Sequence, residues 1–130
     1  MMRVSHLALG TLTAYALTQG APIEQIALTV GAALIGSELP DWDLRFGIPH
    51  RGVTHWAIWP ALLWFLMPFP ITQGLAIGWG VHILADCLTV EGLRTLWPLP
   101  FRIRGFIRTG SILEFATVLP LIVLVVKFAI

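Results

Sequence analysis

The chain has 130 residues; 57% are hydrophobic, only 12% are charged, and the formal net charge at pH 7 is +1. Soluble domains carry about 25% charged residues, so this composition excludes an ordinary soluble domain, a disordered chain and a nucleic-acid-binding module with a broad basic face. The single cysteine, Cys87, excludes an internal disulfide and any metal cage built from several cysteines. We therefore expect one integral membrane domain, residues 1–130, with no nucleic-acid partner.

Five apolar segments follow one another along the chain, separated by turn residues. They cover residues 4–18, 23–36, 53–67, 71–88 and 111–130. Helix is favoured over strand because an open sheet would leave backbone groups unpaired in lipid. The pattern predicts an all-α integral membrane bundle of about five short helices, several of them below the roughly 20 residues that a spanning helix needs. Gly10 with Ala14, and Gly74 with Gly78, are small residues four apart that would permit close helix contact.

The arginines are distributed unevenly about these segments. If all five segments cross the membrane, the N-terminus and the connections 37–52 and 89–110 lie on one side, and every arginine lies there. Lys127 would then be the one basic residue on the other side. Because short loops rich in Arg and Lys stay in the cytoplasm, the pattern predicts a multi-pass protein of the cytoplasmic membrane with its N-terminus inside and its C-terminus outside.

The histidines and most acidic residues fall on the same side as the arginines. They are His6, Glu38, Asp41, Asp43, His50, His55, His82, Asp86 and Glu91. His82 and Asp86, four residues apart, would share one helical face. Imidazole and carboxylate together suit zinc, manganese or iron(II), and ionisable groups at membrane depth must be paired or coordinated. The pattern predicts a His/Asp cluster that binds a metal at the cytoplasmic end of the bundle.

Each of these residues also has an ordinary structural interpretation. His6 could be hydrogen-bonded at a helix end, and Asp41 and Asp43 could be turn residues. His82 and Asp86 could share a hydrogen bond without any metal. The metal hypothesis is favoured for the set as a whole because coordination would satisfy several of the groups at once and would tie distant segments together.

Three short motifs follow one another between residues 39 and 92, after His6 in the first segment. They are Leu39-Pro40-Asp41-Trp42-Asp43, His50-Arg51-Gly52-Val53-Thr54-His55 and His82-x-x-x-Asp86-x-x-Thr89-x-x-Gly92. In this order they resemble the YdjM-type family of inner-membrane metal-dependent hydrolases, over nearly the whole chain to about residue 100. That family is considered distantly similar to zinc-dependent phospholipase C and related nucleases, which are helical and hold zinc between helices with His and Asp ligands.

The resemblance implies a set of metal ligands, namely His6, Asp41, His55, His82 and Asp86. His50, Glu91 and Gly92 belong to the same motifs without an assigned role. The zinc-cluster proteins use further histidines and a glutamate, whereas the fifth segment here offers only Glu114 and no histidine. We therefore expect one or two divalent ions, with zinc favoured and manganese or iron as alternatives.

The leading functional hypothesis is a cytoplasm-facing, metal-dependent hydrolase of a phosphoester, with a membrane phospholipid or a related molecule as its substrate. A bound divalent ion lowers the pKa of a coordinated water to about 7. Asp43 or Glu38 would act as the general base, and Arg51 would bind the phosphate through its guanidinium. The N-terminus of the third helix, near Thr54, would favour an anion. The substrate class rests on the resemblance.

The alternative hypothesis is a non-catalytic membrane scaffold or partner subunit whose metal or polar cluster is structural. Its exposed arginines would suit a protein partner on the cytoplasmic side. A closed coordination shell would favour this alternative, because catalytic metal sites keep a position open for water. The sequence leaves the oligomeric state open.

Overall fold

The computed structural model describes residues 1–129, which form α-helices joined by turns. The helices are α1 (Arg3–Leu17), α2 (Ile23–Gly36), α3 (Asp43–Phe46), α4 (Ile58–Leu66), α5 (Pro70–Cys87) and α6 (Ile112–Ala129). Two 3-10 turns, Leu39–Trp42 and Val53–His55, lie between α2 and α4. Pairing of the β type within residues 1–129 is limited to two isolated bridges, so the all-α prediction is confirmed.

Four of the five predicted segments match α1, α2, α5 and α6 closely. The last predicted residue, Ile130, lies outside the described residues. Pro22 precedes α2 and Pro70 is the first residue of α5, where a fixed φ and a missing N–H are tolerated. Apolar runs and proline positions therefore predicted where these helices begin.

The third predicted segment, 53–67, is wrong at its N-terminal end. Trp56 is extended, with φ −77° and ψ 130°, and separates the turn Val53–His55 from α4. The N–H of Ala57 donates to the carbonyl of Thr95 at 2.9 Å, in the loop after α5. Because the chain leaves the helical conformation here, the favourable helix N-terminus predicted near Thr54 does not exist.

Helix α5 lies at the centre of the bundle, where it contacts α1, α2 and α4, while α1 also contacts α6. Its approach to α2 is so close that a Cβ atom on Gly74 would clash with the carbonyl of Thr29, and one on Gly78 with the carbonyl of Ala33. Gly10 of α1 packs against Gly78 as well. The predicted close contact through small residues is confirmed.

The segment between α5 and α6 is irregular but is folded back on the end of α5. Leu93 and Ile103 exchange backbone hydrogen bonds of 2.9 and 2.8 Å, and the N–H of Ile107 donates to the carbonyl of Leu88. Gly92 has a φ of +62°, and a Cβ atom there would clash with the carbonyl of Ile103. The turn after α5 therefore requires glycine at this position of the third motif.

Polar side chains are buried in this bundle and large apolar ones are exposed. The fully buried side chains include those of Asp43, His55, His82, Asp86 and Glu114. More than three quarters of the surface is exposed on Ile23, Phe65, Ile112 and Phe128. No helix within residues 1–129 has both the length and the apolar character needed to cross a membrane. The five predicted crossings therefore remain a prediction.

Candidate metal centre

The five residues expected to bind metal come from four separate segments and meet at one end of the bundle. His6 lies on α1, Asp41 on the first 3-10 turn, His55 on the second, and His82 and Asp86 on α5. Four of them are 0–2% exposed, whereas the side chain of Asp41 is 37% exposed. The cluster is therefore buried, with one carboxylate at its edge.

Four donor atoms of the cluster face one another at distances too long for hydrogen bonds. Nε2 of His82 lies 3.5 Å from Oδ2 of Asp86 and 3.5 Å from Oδ1 of Asp41. Nε2 of His55 lies 3.6 Å and 3.8 Å from the same two oxygens. Neither Nε2 atom has a hydrogen-bond partner among residues 1–129, although both are buried. Ligands about 2.1 Å from a tetrahedral zinc are about 3.4 Å apart, so these donors fit a divalent ion.

His6 completes the cluster from the side of α1. Its ring stacks on that of His82 with centroids 3.7 Å apart and planes at 14°, and its Nε2 lies 3.2 Å from Oδ1 of Asp86. The amino group of Met1 lies 2.8 Å from the same oxygen. In two overlapping triads, His6-His82-Asp86 and Asp41-His55-His82, the donor atoms lie within 4.8 Å of one another.

Hydrogen bonds behind the cluster orient two of its imidazoles. Nδ1 of His82 donates to the carbonyl of Ser37 at 2.6 Å, so in the neutral ring Nε2 carries the lone pair. The hydroxyl of Thr54 donates to Asp43 at 3.0 Å and lies 3.1 Å from Nδ1 of His55, which therefore donates to that hydroxyl. Both rings thus hold the tautomer that a metal ligand needs.

The pKa values of the two loop ligands suit metal binding. Burial lowers the pKa of His55 to about 4, and the neighbouring carboxylates oppose this only in part. The ring is therefore neutral at pH 7, as a metal ligand must be. Burial raises the pKa of Asp41, but His82 and His6 together lower it more, so the pKa lies below its usual value and the group is ionised.

Asp43, predicted as a general base, is placed behind the cluster. One carboxylate oxygen accepts from Nδ1 of His50 at 3.0 Å, and the other accepts from the backbone N–H of Arg51 at 3.1 Å and from the hydroxyl of Thr54. Asp43 is 1% exposed, so both oxygens are occupied in holding the 50–54 loop. This arrangement leaves neither oxygen free to take a proton from water.

Arg51, predicted to bind phosphate, is directed into the protein. One guanidinium nitrogen lies 3.0 Å from Oε2 of Glu91 and 3.3 Å from the hydroxyl of Thr89, and another lies 3.8 Å from Oδ1 of Asp86. The same group reaches the carbonyl of Gly92 at 3.5 Å. Arg51 therefore joins the cluster to the turn after α5, which also explains the place of Glu91 and Gly92 in the motif.

A cavity of about 220 Å³ opens beside the cluster. It is lined by Arg3, His6, Ser37, Glu38, Asp41, Trp42, Leu44 and Arg45. Glu38, the other predicted general base, stands in this wall and is paired with Arg3. The sequence predicted no role in the site for Arg3 or Arg45, although Arg3 lies three residues before His6 and Arg45 two residues after Asp43. The cavity gives small molecules a route to the exposed carboxylate of Asp41.

These features define a small helical protein with a buried His/Asp cluster that could hold a metal ion. The family model described as YdjM inner membrane protein matches residues 1–129, and the chain belongs to this family. The resemblance seen in the motifs is thus confirmed, and the family's description supports the inner membrane as the location.

Curated relatives match part of the chain. Inner membrane protein YdjM of Escherichia coli (strain K12) is 38% identical over 65 residues, covering 42% of this chain and 33% of that protein, and the Shigella flexneri protein of the same name gives the same values. Uncharacterized protein YvsG of Bacillus subtilis (strain 168) is 33% identical over 72 residues, covering 50% and 45%. The match therefore spans less than half the length of each relative. No solved structure matches the chain.

Proposed function

We propose that this chain is a metal-dependent hydrolase of the inner membrane that cleaves a phosphoester, in a phospholipid or a related molecule, at the cytoplasmic face. One observation carries the proposal. In the described part of the chain, the buried Nε2 atoms of His55 and His82 have no hydrogen-bond partner and face the carboxylates of Asp41 and Asp86, beside a cavity that reaches Asp41. A buried polar atom without a partner is costly, and a divalent ion would supply that partner.

The proposed ligands are those of the cluster: His6, Asp41, His55, His82 and Asp86. Nitrogen and carboxylate donors in a nearly closed pocket favour zinc, with manganese or iron(II) as alternatives. A divalent ion bound there would lower the pKa of a coordinated water to about 7 and would polarise a phosphoryl oxygen.

Residues of the chain would admit the substrate, accept the proton from water and orient a ligand. Asp41 and His6 both line the cavity, and Asp41 is the more exposed of the two, so the substrate would enter along the exposed side of Asp41. Glu38 is the carboxylate of the cavity wall that is not a proposed ligand, and we assign it the role of general base. Asp43 would keep His55 oriented through Thr54, and its proposed role is positioning rather than proton transfer.

The distribution of side chains supports a membrane position with the cluster towards the cytoplasm. Large apolar side chains cover the outside of the bundle, while the polar side chains of the cluster are buried inside it. Arg3 and Arg45 line the cavity, and Arg51 contacts the cluster itself. The positive-inside rule then puts the N-terminus in the cytoplasm and the C-terminus outside, in a multi-pass arrangement.

Metal analysis of the purified protein, followed by a hydrolysis screen, tests the proposal. We expect bound zinc, manganese or iron, its loss in His82→Ala, and turnover of a phosphomonoester, phosphodiester or phospholipid that stops with a chelator and returns with metal. Glu24→Gln is the control, because Glu24 is exposed in the first turn of α2 and lies outside the cluster. If the purified wild-type protein contains no metal, the proposal of a metal-dependent hydrolase is refuted.

A structural role for the metal is the second candidate. His6, His55, His82 and Asp86 are 0–2% exposed and come from three separate segments, so a bound ion would hold these segments together as a staple. The chain would then serve as a membrane scaffold or a partner subunit on the cytoplasmic side. Bound metal that raises the melting temperature, with no substrate turned over, would favour this candidate.

A further inference from the structure

We propose that Arg45 is the residue that recognises the phosphate group of the substrate in the cavity beside the cluster. This inference rests on the proposed function, and it assigns to Arg45 the role that the sequence predicted for Arg51. Three observations carry it: the commitment of Arg51 to other partners, the charge balance of the cavity, and the apolar side chains next to Arg45.

Arg51 is unsuited to binding a substrate. Its side chain is 14% exposed, and its guanidinium contacts Glu91, Asp86, Thr89 and the carbonyl of Gly92. Releasing it for a phosphate would break its contacts with the buried carboxylate of Asp86 and the buried hydroxyl of Thr89, which is costly. A phosphate-binding arginine must instead have donors that face the cavity.

The cavity has one arginine whose charge is not balanced by the protein. Arg3 is paired with Glu38, and the charge of Asp41 would be balanced by the bound ion. Arg45 is exposed and lines the same cavity; within residues 1–129 its side chain forms no ion pair or hydrogen bond. A guanidinium with free donors binds phosphate through two parallel hydrogen bonds. Arg45 therefore supplies the attraction for an anion next to the cluster.

The backbone around Arg45 is anchored beside the cavity where a phosphate would bind. It lies on α3, whose first residue, Asp43, is anchored to the 50–54 loop by three hydrogen bonds. The neighbouring side chains of Leu44 and Phe46 are 65% and 71% exposed. An arginine flanked by exposed apolar side chains fits a phosphate that carries an apolar group, as in a phospholipid headgroup, but the shared chemistry is the phosphate itself.

Isothermal titration of detergent-purified protein with inorganic phosphate tests the proposal. We expect Arg45→Gln to weaken phosphate binding by about 10-fold or more, because the variant removes the positive charge and the paired donors that a phosphate would accept from. Arg45→Lys should recover only part of the affinity, since lysine keeps the charge but lacks the planar pair of donors. Arg94→Gln is the matched control, because Arg94 is exposed and does not line the cavity.

A second arm identifies the source of the phosphate. The binding of the wild type and of Arg45→Gln is measured on vesicles of phosphatidylcholine alone and on vesicles that also contain phosphatidic acid. If phosphatidic acid increases binding in an Arg45-dependent way, and by more than inorganic phosphate does, the phosphate belongs to a lipid headgroup. If Arg45 affects only the binding of inorganic phosphate, the phosphate belongs to a soluble molecule.

The proposal is overturned if Arg45→Gln binds phosphate as the wild type does, or if Arg94→Gln loses as much affinity. Metal content is measured on the same samples, and each titration is repeated on metal-free protein. If the wild type contains no metal, the hydrolase proposal fails. Comparing the wild type with Arg45→Gln in metal-free protein tests the role of Arg45 separately.

Discussion

Nδ1 of His82 donates a 2.6 Å hydrogen bond to the backbone carbonyl of Ser37, which joins the His/Asp cluster to the end of α2. The bond forms because α2 and α5 approach closely at Gly78, one turn before His82. Helix packing thus sets the direction of a proposed ligand, and Nε2 faces the cluster without help from an ion. Packing and metal binding should therefore be coupled.

Gly78→Ala should disturb both stability and metal binding. The added Cβ atom would clash with the carbonyl of Ala33 and with the N–H of Ser37, so the helices must separate. Overpacking of this kind costs about 1–3 kcal/mol, and His82 would lose its hydrogen bond to Ser37. We expect a lower melting temperature in detergent and a lower metal content.

Gly80→Ala is the control for this prediction. Gly80 lies on the same helix, but its Cβ atom would meet only the side chain of Pro60, at 3.9 Å. Alanine favours helix over glycine by about 1 kcal/mol, so this variant should be as stable as the wild type or more stable. Equal behaviour of Gly78→Ala and Gly80→Ala would contradict the coupling.

Asp41→Asn and Asp43→Asn should separate a ligand from a positioning residue. Asp41 faces both Nε2 atoms of the cluster, so its loss should abolish tight metal binding. Asp43 holds the 50–54 loop and the hydroxyl that orients His55, and loss of such a partner costs 10- to 100-fold in affinity. Competition with a zinc chelator of known affinity measures both variants. A greater loss in Asp43→Asn than in Asp41→Asn would reverse these roles.

The protein should bind one ion tightly rather than two. The two triads of the cluster share Nε2 of His82, and its other nitrogen is bonded to Ser37. A further group, Asp41-Asp43-His50, has donors close enough for a second ion, but both oxygens of Asp43 already accept hydrogen bonds. Elemental analysis combined with quantitative amino-acid analysis gives the number of metal ions per chain. Two ions per chain, falling to one in His50→Ala, would contradict this prediction.

The helices and the meeting of the cluster residues were predictable from the sequence. Apolar runs set the ends of α1, α2, α5 and α6, because each run is interrupted by residues that stop a helix. An alternating path through the bundle then brings His6 and His82 to the same end, where their rings stack. Apolar runs and chain direction were enough for these features.

The roles of individual loop residues were not predictable. Arg51 has a φ of +60°, and such a local conformation decides that its side chain enters the protein. Asp43 and Asp41 are two residues apart in one motif, yet only Asp41 is directed at the cluster, because the first 3-10 turn ends between them. Side-chain direction in loops depends on backbone geometry that composition and spacing do not reveal.

Glu114→Gln should destabilise the protein by loosening α6 from the start of α1. The buried carboxylate accepts hydrogen bonds of 2.7 Å from the backbone N–H of Met2, the hydroxyl of Ser5 and the N–H of Gly110. Glutamine would turn one acceptor into a donor that faces another donor, at a cost of about 1–3 kcal/mol.

Glu24→Gln is the matched control, because Glu24 is exposed in the first turn of α2, and surface changes of this kind stay within about 0.5 kcal/mol. Thermal unfolding in detergent should show a lower melting temperature for Glu114→Gln and an unchanged melting temperature for Glu24→Gln. Because Ser5 precedes His6, the Glu114 variant should also bind metal more weakly. Unchanged stability in Glu114→Gln would mean that this network does not hold α6 against α1.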